Sequence, residues 1–170
     1  DIVPTGIYFD RFTGGDGASF RQHAGVDPDD FVLGFVSRVS PEKNVGFLAE
    51  AIVSFCRRYD RARFFLIGTG PSEEDVKRRF AENGMESRLH AFGTLEGQRL
   101  VDAYHAADVF VFASQSETQG IVLTEAMAAG LPVVAVDVPG VREVVREGYN
   151  GCLLPRENKD RFVDALDDAL

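Results

Sequence analysis

The chain has 170 residues, 45% of them apolar, and a formal net charge of −9, a length and composition sufficient to bury one good core. The negative charge argues against nonspecific binding to nucleic acid, which needs lysine and arginine to neutralise phosphates. No run approaches the roughly eighteen apolar residues of a membrane span and nothing at the start resembles a signal peptide, so a cytoplasmic chain is expected.

Read in chain order, apolar runs alternate with helical patterns. Strands are predicted over Phe31–Val36, Arg63–Ile67, Leu89–Phe92, Val109–Ala113, Val133–Val136 and Cys152–Leu154, short runs rich in β-branched and aromatic residues. Helices are predicted over Pro41–Arg58, Ser72–Asn83, Glu96–Ala106, Gln119–Ala129 and Gly140–Arg146, with a last one from Asn158. The alternation implies an α/β fold, a doubly wound, Rossmann-like parallel sheet with helices on both faces. In such sheets ligands bind beyond the carboxyl ends of the strands. Cys56 and Cys152 have no paired spacing, and His23, His90 and His105 are scattered. The cysteines therefore read as buried bystanders, and no protein-bound metal is expected.

Four loops after strands draw attention. In Ser37–Asn44 (SRVSPEKN), Ser40 suits an N-cap and Pro41 the first helical position, which puts Lys43 in the first turn, on the unfavourable side of the helix dipole. That is anomalous unless an anion lies nearby. At Ser72 the following Glu73, Glu74 and Asp75 place charge where the dipole favours it, in a capping-box pattern. Gly68 and Gly70 follow the second strand, but Glu73 occupies the third glycine position of a dinucleotide fingerprint, which disfavours NAD. Phe92–Leu100 (FGTLEGQRL) reads as a plain strand-to-helix loop. Finally Ser114–Pro132 (SQSETQGIVLTEAMAAGLP) carries Glu117 and Glu125 with seven residues between them. Glu117 falls in the turn and Glu125 on the helix. Free N–H groups at such a helix start favour an anion. By spacing alone, two solvated surface charges would read the same.

The words around that pair resemble the donor-binding half of retaining glycosyltransferases of the GT-B architecture, the group called family 4. The resemblance runs through IVPTGIYFDRF (Ile2–Phe12), FVSRVSPEKNVGFLAEAI (Phe35–Ile52), FFLIGTGP (Phe64–Pro71), the glutamate pair, AAGLPVVAVDVPGVREVV (Ala128–Val145) and GYNGCLLP (Gly148–Pro155). It implies an inter-domain segment over residues 1–12, a donor domain over 13–170, and an N-terminal acceptor domain absent from this chain. By the same resemblance, Arg38 and Lys43 match the residues that grip the donor pyrophosphate, and Glu117 the one that contacts the transferred sugar. Glu125 matches the residue that binds the ribose hydroxyls. Thr118, Gln119, Gly120 and Ile121 would present donors to sugar and phosphate, Gly68 would let the backbone approach the nucleotide, and Thr94 and Leu95 would lie near the base.

The partner implied is a UDP- or GDP-sugar, with no cofactor, since Arg38, Lys43 and the helix start would stabilise the leaving diphosphate without a metal ion. Many relatives have an aromatic residue and a glycine after the first glutamate. Thr118-Gln119-Gly120 in that place, and SRVSPEKN in place of the commoner glycine-arginine form, resemble members that glycosylate lipids such as diacylglycerol. A lipid or glycan acceptor, and peripheral association with the inner face of a membrane through the missing half, are expectations of that resemblance. Alone, the chain is expected to bind donor weakly and transfer little. The competing reading is a stand-alone nucleotide-binding or interaction module on the same scaffold. An epimerase or a phosphorylase fits less well, the latter for want of a lysine in a glycine-rich setting to anchor a pyridoxal group.

Overall fold

The computed structural model describes residues 6–155 and 157–170; the first part of the Ile2–Phe12 segment lies outside them. Six strands, β1 (Phe31–Val36), β2 (Ala62–Ile67), β3 (Leu89–Gly93), β4 (Val109–Phe112), β5 (Val133–Val136) and β6 (Gly151–Leu154), form one sheet in the order β3-β2-β1-β4-β5-β6. Every neighbouring pair is parallel. All four residues of β4 and of β5 are buried, as expected of strands covered by helices on both faces, where no alternation with polar residues survives. This is the doubly wound α/β sheet expected from the alternation of elements.

The helices are α1 (Gly17–Ala24), α2 (Val45–Arg58), α3 (Glu73–Glu82), α4 (Gly97–His105), α5 (Ile121–Ala128), the short α6 (Pro139–Arg142) and α7 (Lys159–Asp167). Right-handed crossovers put α2 and α3 on one face and α4 and α5 on the other, because the strand order turns back at β1. Helix α2 packs against α3 and α7, and α1 against α4. The core is unusually aromatic. Phe35, Phe55, Phe64, Phe65, Phe80, Phe110, Phe112 and Phe162 are all fully buried, each contributing roughly 1.5–3 kcal/mol of burial free energy.

Four local expectations are corrected. Helix α1 has no counterpart among the predicted helices: its sequence, GASFRQHA, has no apolar stripe, and Phe20 is its one large side chain on the core side, against Phe65 and Phe92. Its ends did carry signals. The Asp16 carboxylate accepts from Ser19 N at 2.9 Å, and Gly25 closes the helix at φ 68. The predicted Pro41–Arg58 helix is two pieces, a 3-10 turn over Pro41–Lys43 and then α2, separated by Asn44 at φ 54. Asparagine tolerates that left-handed geometry better than most residues. The capping box at Ser72 does not form. Its side chain makes no cap, its N–H donates to Val39 O at 3.0 Å, and Asp75 pairs with Arg79 at 2.8 Å. Likewise the predicted Gly140–Arg146 helix is only the single turn Pro139–Arg142. Cys56 is buried and Cys152 half-buried, both as free thiols.

Candidate functional site

The strand order reverses between β1 and β4: β2 and β3 extend the sheet to one side, β5 and β6 to the other. At such a switch point the connections after neighbouring strands leave in opposite directions and open a crevice between them. Here the walls of the crevice are residues 37–44, after β1, and 113–120, after β4. Two contacts stitch them together, Gln115 N donating to Glu42 O at 3.2 Å and the Ser114 hydroxyl lying 3.3 Å from the same carbonyl. The β1 connection is also tied to the β2 side, since Val39 N donates to Thr69 O at 2.9 Å.

Across the crevice Lys43 and Glu117, which lie 74 positions apart in the chain, meet with Lys43 Nζ donating to Glu117 Oε2 at 3.0 Å. Both side chains are largely buried, 19% and 13% exposed. The ammonium also stands 5.7 Å from the centroid of the Phe112 ring, a favourable place for a cation over a π face. The anion that the position of Lys43 demanded is thus supplied within the chain.

Glu117 does more than neutralise Lys43. Its Oε1 accepts from the backbone N–H of Thr118 at 3.1 Å, Gln119 at 3.2 Å and Gly120 at 3.1 Å. This corrects the expectation of free N–H groups in the turn: a carboxylate of the protein itself occupies that nest. Burial pushes the Glu117 carboxyl upward, but the hydrogen bonds from Lys43 and from the N–H groups of Gly120 and Gln119 outweigh it and hold the group below its ordinary range. Helix α5 begins two residues later than expected, after Gly120 at φ 60. The N–H groups of its first turn, from Ile121 on, have no carbonyl partner within the helix and keep their attraction for an anion.

The loop bearing Glu117 is set by a contact that sequence reading did not isolate. Gly140 N donates to Glu117 O at 3.2 Å, and a Cβ at residue 140 would stand 2.2 Å from that oxygen. Only a residue without a side chain lets α6 approach so closely. The Pro139-Gly140 dipeptide was the available signal.

The other predicted residues divide into two groups. Arg38, Gly68, Thr94 and Leu95 line a cleft of about 320 Å³ beyond the ends of β1, β2 and β3. Thr94 is exposed and Leu95 mostly buried. The Arg38 side chain is 69% exposed and paired with Glu42, not directed at Glu117. Gly68, at φ 120, is required by the protein itself, because a Cβ there would lie 1.9 Å from Ser37 O.

Glu125 lies on α5, half-buried, and its Oε2 accepts from the Tyr104 hydroxyl of α4 at 2.8 Å. Burial raises its carboxyl pKa, partly opposed by Tyr104 and by the charge of Arg11. Nothing in the sequence pattern singled out Tyr104.

A larger hollow, about 760 Å³, opens at the opposite, amino end of the sheet. Its charged lining is already satisfied: Arg21 donates to Ala106 O at 2.8 Å and pairs with Asp108 at 2.7 Å. The crevice, with its concentrated polar groups, is therefore the candidate site. No cluster of three metal-ligating side chains occurs among the described residues.

Comparison with known proteins bears on this arrangement. Residues 17–170 match the family described as glycosyl transferases group 1. The chain is 36% identical over 173 residues to a D-inositol 3-phosphate glycosyltransferase of Nocardia farcinica, covering 98% of this chain and 38% of that protein. It is 32% identical to the alpha-monoglucosyldiacylglycerol synthase of Acholeplasma laidlawii, covering 88% of this chain and 39% of that protein. The chain thus spans less than half the length of these curated relatives. Anabaena Alr3699/HepE, solved in complex with UDP, is similar at a TM-score of 0.87 and 26% identity over 99% of this chain and 47% of that one. The C-terminal domain of a glycosyl transferase group 1 family protein, LpcC of Francisella tularensis, shares the fold at a TM-score of 0.84 and 20% identity, covering 96% of this chain and 87% of that one.

Proposed function

Because the chain belongs to the glycosyl transferases group 1 family and has the Rossmann-like fold of a GT-B half, we propose that it is the donor-binding domain of a retaining, family 4 glycosyltransferase. Its donor is a UDP- or GDP-sugar and its acceptor a hydroxyl of a lipid or glycan. The observation that carries this reading is the Lys43–Glu117 contact at the switch point, which places a shielded cation, a carboxylate and the start of α5 around one crevice. The length of the relatives supports a further domain for acceptor recognition, and with it the expectation that this chain alone transfers little.

In this reading the diphosphate lies between Lys43, Arg38 and the first-turn N–H groups of α5. As the bond from the sugar C1 to the diphosphate oxygen breaks, charge builds on that oxygen. Two cations and a helix start stabilise it electrostatically without a metal ion. Arg38, exposed and paired with Glu42 on the surface, swings to the phosphates at little cost. Glu117, fixed by three N–H groups, faces the hydroxyls of the transferred sugar, with Thr118, Gln119 and Gly120 beside it. Gly68, Thr94 and Leu95 border the base, and Glu125 accepts from the ribose. The enzyme works in the cytoplasm, at the membrane when its acceptor is a lipid. No helix among the described residues is long and apolar enough to cross one.

Calorimetric titration with UDP, GDP, ADP and NAD tests the proposal. One of UDP or GDP is expected to bind saturably, and Arg38→Ala and Glu125→Ala to weaken it about tenfold each, the scale of losing a charge-assisted hydrogen bond. Equal binding by the unsubstituted chain and both variants refutes the site. Saturable NAD binding without UDP or GDP refutes the class.

A further inference from the structure

Tyr104 is 1% exposed, on the last turn of α4. Its ring is clamped edge-on by Phe12, with centroids 5.9 Å apart at 76°, and packs against Phe110 of β4, again at 5.9 Å. A phenylalanine would fill that space equally well. The hydroxyl is what needs explaining, because a buried phenol must find a partner or lose free energy. Its partner is Glu125 Oε2 at 2.8 Å.

Stability does not account for the pair. Burial raises the carboxyl of Glu125, opposed by the Tyr104 hydrogen bond and the charge of Arg11, and raises the phenol of Tyr104 well above its ordinary value, so the phenol keeps its proton and donates it. Replacing both partners of a buried hydrogen bond by apolar groups of the same shape is often nearly neutral. What the contact does supply is position. A glutamate on a helix face has three side-chain torsions to fix, at a cost of up to about 2 kcal/mol, whereas a clamped tyrosine is already rigid. With Oε2 taken by Tyr104, the other oxygen, Oε1, has no hydrogen-bond partner among the described residues.

We propose that Tyr104 is a positioning residue for ribose recognition: its hydroxyl holds Glu125 Oε2 and so presents Oε1 to accept from the 2′ and 3′ hydroxyls of a nucleoside diphosphate. The proposal rests on the donor-site reading above. A rigid residue on a neighbouring helix pre-organises the ligand-binding carboxylate, so that ordering it is not charged against binding.

The test is Tyr104→Phe, titrated with UDP and GDP and with their 2′,3′-dideoxy forms, beside Glu125→Ala and the double variant. Tyr104→Phe is expected to weaken the preferred ribonucleotide about five- to tenfold, to leave the dideoxy form within about twofold, and to add nothing in the Glu125→Ala background. A purely structural role lowers both forms alike, so equal losses overturn the proposal, as does undiminished ribonucleotide binding by a variant with unchanged thermal melting. Failure of UDP and GDP to bind the unsubstituted chain is a different result: it removes the donor-site reading and this proposal with it.

Discussion

Replacing Lys43 by methionine isolates the ion pair among the contacts that join the two walls of the crevice. Methionine keeps most of the apolar stem near Phe112 and deletes the charge. Breaking one side of a fully buried pair costs roughly 3–5 kcal/mol, while an exposed pair is worth about 0–1 kcal/mol. Here the partners are 19% and 13% exposed, and Glu117 keeps its three N–H donors at 3.1–3.2 Å, so the carboxylate left behind remains solvated by backbone. The expected loss lies between these limits, about 2 kcal/mol at neutral pH, or about 4–8 °C in Tm for a chain of this length. The pH dependence has a definite sign. The carboxyl of Glu117 is held below its ordinary value of 4.5 in the folded chain. Its stabilisation is therefore complete above that value and is lost as pH falls through the lower folded value. Without Lys43, burial opposes the N–H groups alone and the carboxyl rises, so the variant loses this stabilisation at higher pH. Once Glu117 is protonated in both proteins the gap between them narrows. Urea denaturation followed by circular dichroism at pH 7 and pH 3, with Glu117→Gln and the double variant, measures both effects. A deficit as large at pH 3 as at pH 7, or a coupling energy near zero in the cycle, would refute the reasoning.

Two glycines bracket what the fold tolerates. Gly140→Ala drives a Cβ to 2.2 Å from Glu117 O and 2.9 Å from the carbonyl carbon of Thr118; it is expected to cost about 2–3 kcal/mol and to abolish detectable nucleotide binding. Thermal melting and titration report the two effects separately, and a variant that keeps both stability and binding would show that the loop yields without consequence. Gly46→Ala, in the first turn of α2, meets nothing nearer than Arg79 Nη2 at 3.8 Å. It is expected to stabilise by about 0.5–1 kcal/mol, a rise of about 2 °C in Tm, with nucleotide affinity unchanged; a lower Tm would contradict the space seen there.

The strands were the most legible part of the fold. Phe31–Val36 and Val133–Val136 agree at both ends with the predicted runs, because a strand buried on both faces is a continuous apolar stretch bounded by polar or turn residues. Helices with an apolar face, such as α2, were legible for a similar reason. Helix α1 was not, since one large apolar residue in eight leaves no period to detect. At Ser72 the right residues stood at the right spacing, but Val39 O and Arg79 competed for the backbone N–H and the carboxylate that the capping box required. The predicted site residues gather at the carboxyl ends of the strands, in two neighbouring clusters and on α5. What no local pattern revealed were the residues that position them, Gly140 and Tyr104, whose importance lies in what they touch.

By itself the sequence determined the order of the six strands and of the helices that follow them, the polar loops at the strand ends, and the glutamate pair, because local periodicity and turn chemistry carry that information. Only the tertiary structure decided which loops face each other. Lys43 and Glu117 meet across 74 positions because the crossovers bring β4 beside β1, and that pairing depends on the packing of the whole sheet. The same packing made the Ser114–Pro132 stretch a different object from the one its spacing suggested. The nest of N–H groups in the turn is filled by Glu117 itself, since a carboxylate one to three residues before those groups reaches them before any ligand does.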